Sequence, residues 1–363
     1  MADALVLRSL VATPVVVPMR RPLWTSVQAV TEAPLVLVDL HTEQGLTGHA
    51  YLFSYRKPVS AAIAALVADL DEQLRGRPVV PATLRRWFAD YGRLVGLRGV
   101  VSMVGAALDM AAWDVVSQAA GLPLARMLGA EPRRLKAYNS NGLGLVAPAA
   151  AAEEALALLE GGFKGVKMRL GREDARQDLE AVRAVRAVLP EGVALMADYN
   201  QALAPEEALL RCRMLDGEGL EWIEEPIRHD DYLGCAKLKQ ALCTPLQYGE
   251  NFNGPKAMAV ALAAGGVGYL MPDAERIGGV SGWLEAAALG AAHEVQLSSH
   301  LFPEISAQLL SATPTAHWLE YVDWAEPLLA TPLRVVDGYV TAPDTPGSGV
   351  AWNAEAKKRF AVA

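Results

Sequence analysis

The sequence predicts an α/β protein in which a (β/α) TIM barrel carries an α+β capping domain. Seven short apolar runs each end on a charged or imidazole side chain, namely Arg169, Asp198, Glu224, Glu250, Asp273, His300 and Glu320. From Asp198 onward these ends are 26, 26, 23, 27 and 20 residues apart, enough for one strand, one helix and two short loops. Such runs, alternating with amphipathic helices, are typical of buried parallel strands. A polar residue closing every strand is typical of the barrel face that carries active sites.

The first 130 residues follow a different pattern. Strand-like runs at 11–19, 35–40 and 46–53 predict a three-stranded meander, and helical patterns follow at 59–74, 81–92 and 103–120. An antiparallel sheet followed by helices makes an α+β domain. We therefore predict a cap at 1–130 with a lid segment at 19–30, a barrel at 131–325, and a tail at 326–363 that returns to the cap.

Composition narrows the class of protein. With 363 residues and 52% apolar residues, the chain is long enough for two domains with a large core. The net charge of −8 argues against nucleic acid or an anionic membrane surface as a partner. The three cysteines show no metal-binding spacing, and no long uncharged apolar span or basic leader is evident. These features predict a cytoplasmic protein with free thiols.

Three consecutive strands of the predicted barrel end in carboxylates, at Asp198, Glu224 and Glu250. Any one of them could be a helix N-cap or part of a salt bridge. Three carboxylates side by side at a barrel mouth repel one another unless a cation neutralises them. A ligand set made only of oxygen atoms selects Mg²⁺. The sequence therefore predicts a magnesium site.

The next two strands end at Asp273 and His300, which should be neighbours. A carboxylate bonded to an imidazole fixes its tautomer and raises its basicity, as a general base requires. Glu320, on the following strand, could lie opposite the metal. If it is protonated in an apolar site, it would donate a hydrogen bond to developing negative charge.

Lys167 and Arg169 alternate on one strand and therefore point to the same face. They could be a phosphate or carboxylate clamp or a surface pair. Alternatively, Lys167 lies near the metal-bound carboxylate and Arg169 opposite His300, while Ser140 and Asn200 donate neutral hydrogen bonds to the substrate. A metal, a cationic strand and a His–Asp base around one cleft suit abstraction of the proton α to a carboxylate.

Residues 19–30 combine basic and apolar side chains without clear periodicity, and the run from Tyr51 to Tyr55 places aromatic groups near a loop. Both segments could be ordinary surface loop and sheet core. They could equally form a lid that gives an active-site pocket an apolar wall.

Several motifs together resemble the enolase superfamily, and within it the mandelate racemase/muconate lactonizing enzyme family. They are Gly48–Phe53, Asp109–Asp114, Asp198–Gln201, Trp222–Pro226, Met271–Ala274, Ile277–Val280, Ser298–Phe302 and Pro314–Glu320. The resemblance covers the chain from about residue 20 to its end.

The resemblance implies a modified (β/α)₇β barrel with an α+β cap, a small-molecule carboxylate as substrate, and a homo-oligomer, with an octamer as one candidate assembly. It also implies a role for each site residue: Asp198, Glu224 and Glu250 as Mg²⁺ ligands, Asp273 and His300 as the base dyad, Glu320 as the electrophilic acid, Lys167 near the substrate carboxylate, and Leu23, Val27, Val30, Tyr55 and Leu301 against the rest of the substrate.

One position departs from the family pattern. The family has Lys-x-Lys on the second strand, and its second lysine is the base opposite the histidine; here that position is Arg169. Arginine is effectively always protonated and is a poor base. A racemase needs a base on each face of the substrate, whereas a dehydratase can use one, because His300 can remove the α-proton and then protonate the leaving β-hydroxyl.

Three functions remain open from the sequence. A Mg²⁺-dependent racemase of an apolar 2-hydroxy acid is favoured by the chain-wide resemblance and the apolar lid. It is the hypothesis that the sequence favours. An acid-sugar dehydratase is favoured by Arg169, which could also clamp a distal carboxylate with two hydrogen bonds. A non-enzymatic binding protein is disfavoured by the complete set of acidic, histidine and lysine residues.

Overall fold

The computed structural model describes residues 4–362. Its first part is a three-stranded antiparallel sheet in the order β1–β2–β3, with β1 at Leu7–Trp24, β2 at Ala29–Thr42 and β3 at Thr47–Phe53. Four helices follow: α1 Lys57–Leu74, α2 Pro81–Tyr91, α3 Val100–Ala119 and α4 Leu124–Met127. α1 and α3 pack against this sheet, so the first part is the predicted α+β cap.

Helix α3 is the core of the cap. By length and composition it could cross a membrane, but two thirds of its apolar window is buried inside the structure (67%). Its buried side chains include Met103, Ala107, Met110 and Ala111, at the helical spacing that the sequence indicated. An apolar helix buried on most sides is a core helix.

The second part is a curled parallel sheet surrounded by helices. Its strands are β4 Arg134–Asn139, β5 Gly165–Arg169, β6 Ala194–Asp198, β7 Trp222–Glu224, β8 Leu246–Tyr248, β9 Tyr269–Leu270 and β10 Leu319–Tyr321. Its helices are α5 Pro148–Ala157, α6 Ala175–Val188, α7 Pro205–Leu215, α8 Tyr232–Ala241, α9 Pro255–Ala264, α10 Ala274–Ile277, α11 Gly279–Ala292 and α12 Pro303–Ser311. Strands β4 to β9 pair in sequence order, and β10 pairs in parallel with β4. The predicted α/β barrel with an α+β cap is confirmed.

Local chemistry explains where the barrel helices begin. α5, α7, α9 and α12 each have a proline in the first turn, where the missing N–H is not needed. The carboxylates of Asp174 and Asp231 accept backbone N–H bonds at the starts of α6 and α8. These starts fix the loops that follow the strands, and those loops carry the site.

One predicted strand is much reduced. In place of a strand at 295–300, Leu297 forms isolated bridges to Leu270 and Ala316, and His300 bridges Asp273. The hydroxyls of Ser298 and Ser299 accept the backbone N–H groups of Trp318 and Glu320. Side chains therefore take over part of the hydrogen bonding that a regular ladder would supply, while the bridges still close the barrel.

The lid segment also differs from the expectation. Residues 19–30 lie in the tip of a long hairpin, because β1 and β2 continue to Trp24 and from Ala29. Leu23 pairs with Val30 after a register shift, and Thr25 and Gln28 close the turn by backbone hydrogen bonds. The missing periodicity is explained by this shift, since a bulge moves side chains between the faces of a strand.

The tail contacts both parts of the molecule. After a 3₁₀ turn at Glu326–Leu328, β11 (Val335–Val336) and β12 (Tyr339–Thr341) extend the barrel sheet, because β12 pairs antiparallel with β4. The last helix, α13 (Ala354–Phe360), packs against β1 of the cap. The predicted boundaries at 130 and 325 stay predictions.

Asp39 on β2 forms a buried polar link between cap and tail. Its carboxylate is 4% exposed and contacts Nδ1 of His49 at 2.7 Å, Nε1 of Trp352 at 2.6 Å and Nζ of Lys357 at 2.5 Å. Burial raises its pKa, but these three partners outweigh burial and lower the pKa to about 2. The ionised form is therefore the stabilising one.

We expect Asp39→Asn to lower the free energy of unfolding at pH 7 by about 2 kcal/mol, the size of a pKa difference of nearly two units. Because the folded pKa is depressed, this stabilisation is present above the unfolded pKa near 4 and is lost as the pH falls through about 2. Denaturant unfolding at several pH values measures it. Asp90→Asn, at a 67% exposed side chain, is the control and should change little. Equal acid sensitivity of Asp39→Asn and the unmodified protein would contradict the assignment.

Candidate active site

Three carboxylates meet where the parallel strands end. Asp198 is the last residue of β6, Glu224 is the last residue of β7, and Glu250 lies two residues after β8. One oxygen from each lies within 4.8 Å of the others. Asp198 and Glu224 are fully buried, and the Glu250 side chain is 13% exposed. The structure thus brings the three predicted metal ligands together.

Gly249 allows Glu250 to join this cluster. Its φ of +148° is one that side-chain-bearing residues rarely adopt, and a Cβ here would lie 2.8 Å from the backbone N and C atoms of Met271. The chain must pass this close to the loop after β9 to turn Glu250 inward. Only glycine permits that approach.

Lys167 lies inside the barrel between the carboxylates. Its side chain is 1% exposed, and Nζ is 2.8 Å from Glu224 Oε1, 2.8 Å from Glu320 Oε1 and 3.5 Å from Asp198 Oδ2. Burial lowers the pKa of Lys167, but these carboxylates outweigh burial and raise it well above its ordinary value. Lys167 is therefore an ammonium group that offsets part of the acidic charge.

One lysine does not balance the cluster. Burial and the neighbouring Asp198 hold the pKa of Glu224 well above its ordinary value, and burial also raises the pKa of Asp198. Such shifts mean that ionised carboxylates are costly here without additional positive charge. The donor set is all oxygen and lies at the mouth of a cavity, which suits Mg²⁺, a cation that keeps positions for water or substrate.

Asp273 and His300 form the predicted pair. Nδ1 of His300 is 2.6 Å from Oδ2 of Asp273, whose other oxygen accepts the backbone N–H of Glu275 at the start of α10. This bond assigns the proton to Nδ1 and leaves Nε2 to face the cluster, 3.1 Å from Glu250 Oε2. Burial lowers the pKa of His300, but Glu250, Glu320 and Asp273 raise it to about 9.

Glu320 lies on β10 across from His300 Nε2, at 4.0 Å. Its Oε2 accepts the backbone N–H of Leu301 at 2.7 Å, and its Oε1 faces Lys167. Burial raises its pKa, but Lys167 and His300 outweigh burial and hold the pKa well below the ordinary range. This arrangement favours the carboxylate, so the protonated, hydrogen-bond-donating form of Glu320 stays a prediction.

Arg169 lies on β5 beside Lys167, with 5% of its surface exposed. Its Nη1 donates to the carbonyl oxygen of Ser140 at 2.8 Å, and its Nη2 donates to the Ser140 hydroxyl at 3.0 Å. The Ser140 hydroxyl is thus engaged by Arg169. Arg169 is held by the loop after β4, so a guanidinium group occupies the position where the family pattern has a second basic lysine.

A cavity of about 240 Å³ lies over the cluster. Twelve of the fifteen predicted site residues line it: Leu23, Val27, Val30, Tyr55, Lys167, Arg169, Asp198, Asn200, Glu250, His300, Leu301 and Glu320. Ser140, Glu224 and Asp273 are not in its lining and contact residues that are. A larger groove of about 1070 Å³ between cap and tail contains none of the predicted residues.

Seven lining residues were not predicted: Thr25, Gln28, Phe53, Gln201, Asn251, Arg276 and Trp324. Three of them, Gln28, Gln201 and Asn251, are next to predicted positions, and Phe53 lies in the aromatic run already noted. Trp324 follows Glu320 by four residues on an irregular segment, where no periodicity points inward. The signal that the sequence offered for such residues was their position next to the end of a strand.

The backbone is strained around this cavity. Tyr55, Asn200, Gln201 and Leu301 all line it and all have φ between +47° and +63°. Non-glycine residues rarely adopt this region, and such strain concentrates at functional sites. In Leu301 the strained conformation directs the backbone N–H at Glu320.

The fold and the acidic cluster define the class of protein, and comparison with known families agrees. Residues 8–129 match the N-terminal domain of the mandelate racemase/muconate lactonizing enzyme family, and residues 150–357 match the enolase C-terminal domain-like family. The chain therefore belongs to the mandelate racemase/muconate lactonizing enzyme family of the enolase superfamily, and it is an enolase-superfamily enzyme.

Individual relatives have several activities. The chain is 29% identical to the L-talarate/galactarate dehydratase of Salmonella typhimurium, over 90% of this chain and 83% of that protein. It is 30% identical to the 3,6-anhydro-alpha-L-galactonate cycloisomerase of Streptomyces coelicolor, over 92% and 93%. An enolase from Bradyrhizobium, crystallised with magnesium and mandelic acid, superposes with a TM-score of 0.95 at 39% identity and full coverage of both chains.

The activities of these relatives test the racemase hypothesis that the sequence favoured. Most of the similar curated enzymes are acid-sugar dehydratases or cycloisomerases, and one is an epimerase. The racemase that the sequence analysis preferred is therefore not confirmed, and the dehydratase alternative fits at least as well.

We expect Gly249→Ala to weaken Mg²⁺ binding at least tenfold, because the new Cβ displaces the loop that carries Glu250. Calorimetric titration with MgCl₂ measures the affinity. Gly254→Ala is the matched control, because Gly254 also has positive φ (+78°) but no atom lies within 4 Å of its added Cβ. It should cost about 1–2 kcal/mol of stability and leave Mg²⁺ affinity intact. Equal affinities for the two variants would show that the contact with Met271 does not place Glu250.

Proposed function

We propose that this protein is a Mg²⁺-dependent acid dehydratase that removes the α-proton and the β-hydroxyl of a 2,3-dihydroxycarboxylate. The observation that carries the proposal is that, within residues 4–362, His300 is the one imidazole that lines the cavity, with Nδ1 held by Asp273 and Nε2 facing the acidic cluster. A guanidinium group is a poor base, and the Lys167 ammonium is engaged by two carboxylates. A single base suits elimination better than inversion.

Asp198, Glu224 and Glu250 would hold the magnesium ion, and when bound it supplies positive charge to the substrate carboxylate, where negative charge develops. Lys167 is within reach of the same region and adds a second positive charge. The buried position of these groups strengthens their effect, because the surroundings have a low dielectric constant.

His300 then acts twice on one face of the substrate. When a bound cation offsets the carboxylates that raise the pKa of His300, its Nε2 would be unprotonated and would accept the proton from the α-carbon, while Asp273 holds Nδ1–H and stabilises the imidazolium. The C–H electrons are first held on the substrate carboxylate as an enolate, and they form the C2–C3 double bond as the C3–O bond breaks and its electron pair leaves with the oxygen. The imidazolium donates its proton to the departing hydroxyl, which leaves as water. The enol that remains becomes the 2-keto acid by moving its O–H proton to C3 through solvent.

A racemase of an apolar 2-hydroxy acid is the second candidate. Leu23, Val27, Val30 and Leu301 supply an apolar wall, and the Bradyrhizobium neighbour was crystallised with mandelic acid. Against it, the cavity lining formed by residues 4–362 contains Arg169 where the family pattern has its second basic lysine. The two candidates share the metal site and His300 and differ in the fate of the intermediate. A cytoplasmic location and a homo-oligomeric state also stay proposals.

We expect a screen of aldonic and aldaric acids with Mg²⁺ to yield a 2-keto product from at least one, detected with semicarbazide. We also expect mandelate in D₂O to exchange its α-hydrogen from no more than one enantiomer, because His300 acts alone. Exchange from both enantiomers with no 2-keto product from any acid would favour the racemase and reject the dehydratase.

His300→Asn should reduce turnover by a factor of at least about 10², because a general base contributes about 10² to 10⁴. His293→Asn is the control, since His293 is exposed at the end of α11 and should leave kcat unchanged. A normal kcat in His300→Asn would exclude His300 as the base under either candidate.

A further inference from the structure

The guanidinium group of Arg169 is held along one of its edges. Nη1 and Nη2 both contact Ser140, through its carbonyl oxygen at 2.8 Å and its hydroxyl at 3.0 Å. Nη1 also donates at 3.3 Å to the carbonyl oxygens of Gly142 and Lys167. The edge formed by Nη1 and Nη2 therefore faces the loop after β4, and the group cannot rotate freely.

The other edge has no partner in the part of the chain that the structure describes. A guanidinium group has five N–H donors. The backbone carbonyls accept the two N–H groups of Nη1, and the Ser140 hydroxyl accepts one N–H group of Nη2. That leaves Nε–H and the second Nη2–H, which are parallel. Nε is buried without a hydrogen bond. A buried donor without a hydrogen bond destabilises the protein. Because Arg169 lines the cavity, this unpartnered edge indicates a ligand that accepts its hydrogen bonds.

We propose that the Nε–Nη2 edge of Arg169 binds the substrate through two oxygens carried side by side, those of a vicinal diol or of a second carboxylate. Arg169 is 5% exposed and lines the same cavity as His300 and the acidic cluster. This inference rests on the proposed dehydratase function and names the feature that its substrates share.

A second buried group supports a hydroxylated ligand. Asn200 lines the cavity and donates Nδ2 to Asp198 at 3.0 Å, while its Oδ1 is buried without a partner. Two residues of the cavity lining thus carry a buried polar atom without a partner, a donor at Arg169 Nε and an acceptor at Asn200 Oδ1. Hydroxyl groups satisfy both, whereas an alkyl or aryl group satisfies neither. Sites built to hydrogen-bond a substrate reject analogues that lack the group, because the site's own polar atoms are left unpaired.

The replacement of lysine by arginine has two consequences in this arrangement. The position no longer supplies a base, and it gains a planar fork, which a lysine ammonium does not have. Arg169 therefore acts as a specificity-determining residue, and it favours 2-hydroxy acids with a further pair of oxygens over those with an apolar substituent.

The test is a comparison of three ligands in the His300→Asn variant with saturating Mg²⁺, so that binding is measured without turnover. The ligands are 2-hydroxybutanoate, 2,3-dihydroxybutanoate and malate, each as separate stereoisomers, titrated by calorimetry. We expect at least one stereoisomer of the second or third ligand to bind ten times more tightly than 2-hydroxybutanoate. Preference for the dihydroxy acid identifies a diol as the partner, and preference for malate identifies a carboxylate.

Arg169→Lys and Arg169→Met in the same background should reduce that ratio to about one. Arg176→Lys, at an exposed position on α6, is the matched control and should keep it. Equal binding of all three ligands, no binding of any, or a ratio that survives both Arg169 substitutions overturns the inference. If both variants fail to fold, a crystal structure of the His300→Asn complex decides: substrate oxygens within about 3.2 Å of Nε and Nη2 support it, and oxygens elsewhere refute it.

The two proposals fail differently. If the unmodified protein forms a 2-keto product but the Arg169 substitutions leave the affinity ratio unchanged, the dehydratase function is supported and the proposed role of Arg169 is wrong. If no acid yields a 2-keto product, the dehydratase function is rejected, whatever the affinity ratios of the three ligands are.

Discussion

The site depends on one constraint: carboxylates from neighbouring parallel strands are buried close together, so ionising all of them is costly without added positive charge. Asp198, Glu224 and Glu250 converge within 4.8 Å, and Glu320 approaches from the far side of the barrel. Lys167 offsets part of this charge from within the barrel, which leaves the cluster open to a divalent cation. The same field acts on His300, because Glu250 and Glu320 raise its pKa. The affinity for a cation and the basicity of the histidine therefore have a common origin.

The barrel tolerates this crowding because irregular backbone positions the groups. Gly249 brings the chain against Met271, Leu301 adopts a left-handed conformation that directs its N–H to Glu320, and the segment before His300 uses serine hydroxyls where a regular strand would use its ladder. Each of these features departs from regular strand geometry next to a residue of the site. Stability is then supplied elsewhere, by the apolar barrel core and by the Asp39 link from the cap to the tail.

The sequence predicted the fold class and the grouping of the site, because both follow from periodicity. Strand–helix units of 20 to 27 residues place their end residues on one face, so Asp198, Glu224 and Glu250 had to be neighbours. Other features depend on tertiary contacts. The hairpin at 19–30 was not recognised because a register shift hides its alternation, and Trp324 reaches the cavity from a segment without a pattern. Location and assembly stay predictions, since they depend on surroundings that one chain does not contain.

Arg169 determines which part of the cavity lining, the apolar wall or the polar wall, constrains the substrate more. The apolar wall from the hairpin suits a substrate of low polarity, and on its own it favours the racemase that the sequence suggested. A polar wall at Arg169 and Asn200 carries a buried donor and a buried acceptor without partners. Such groups cost more when left unpaired than an apolar surface costs when it covers a hydroxylated chain. The C–H faces of a sugar acid can lie against leucine and valine, whereas an aryl ring cannot satisfy a guanidinium edge. The polar wall therefore constrains the substrate more strongly, and it does so through the same substitution that removes the second base.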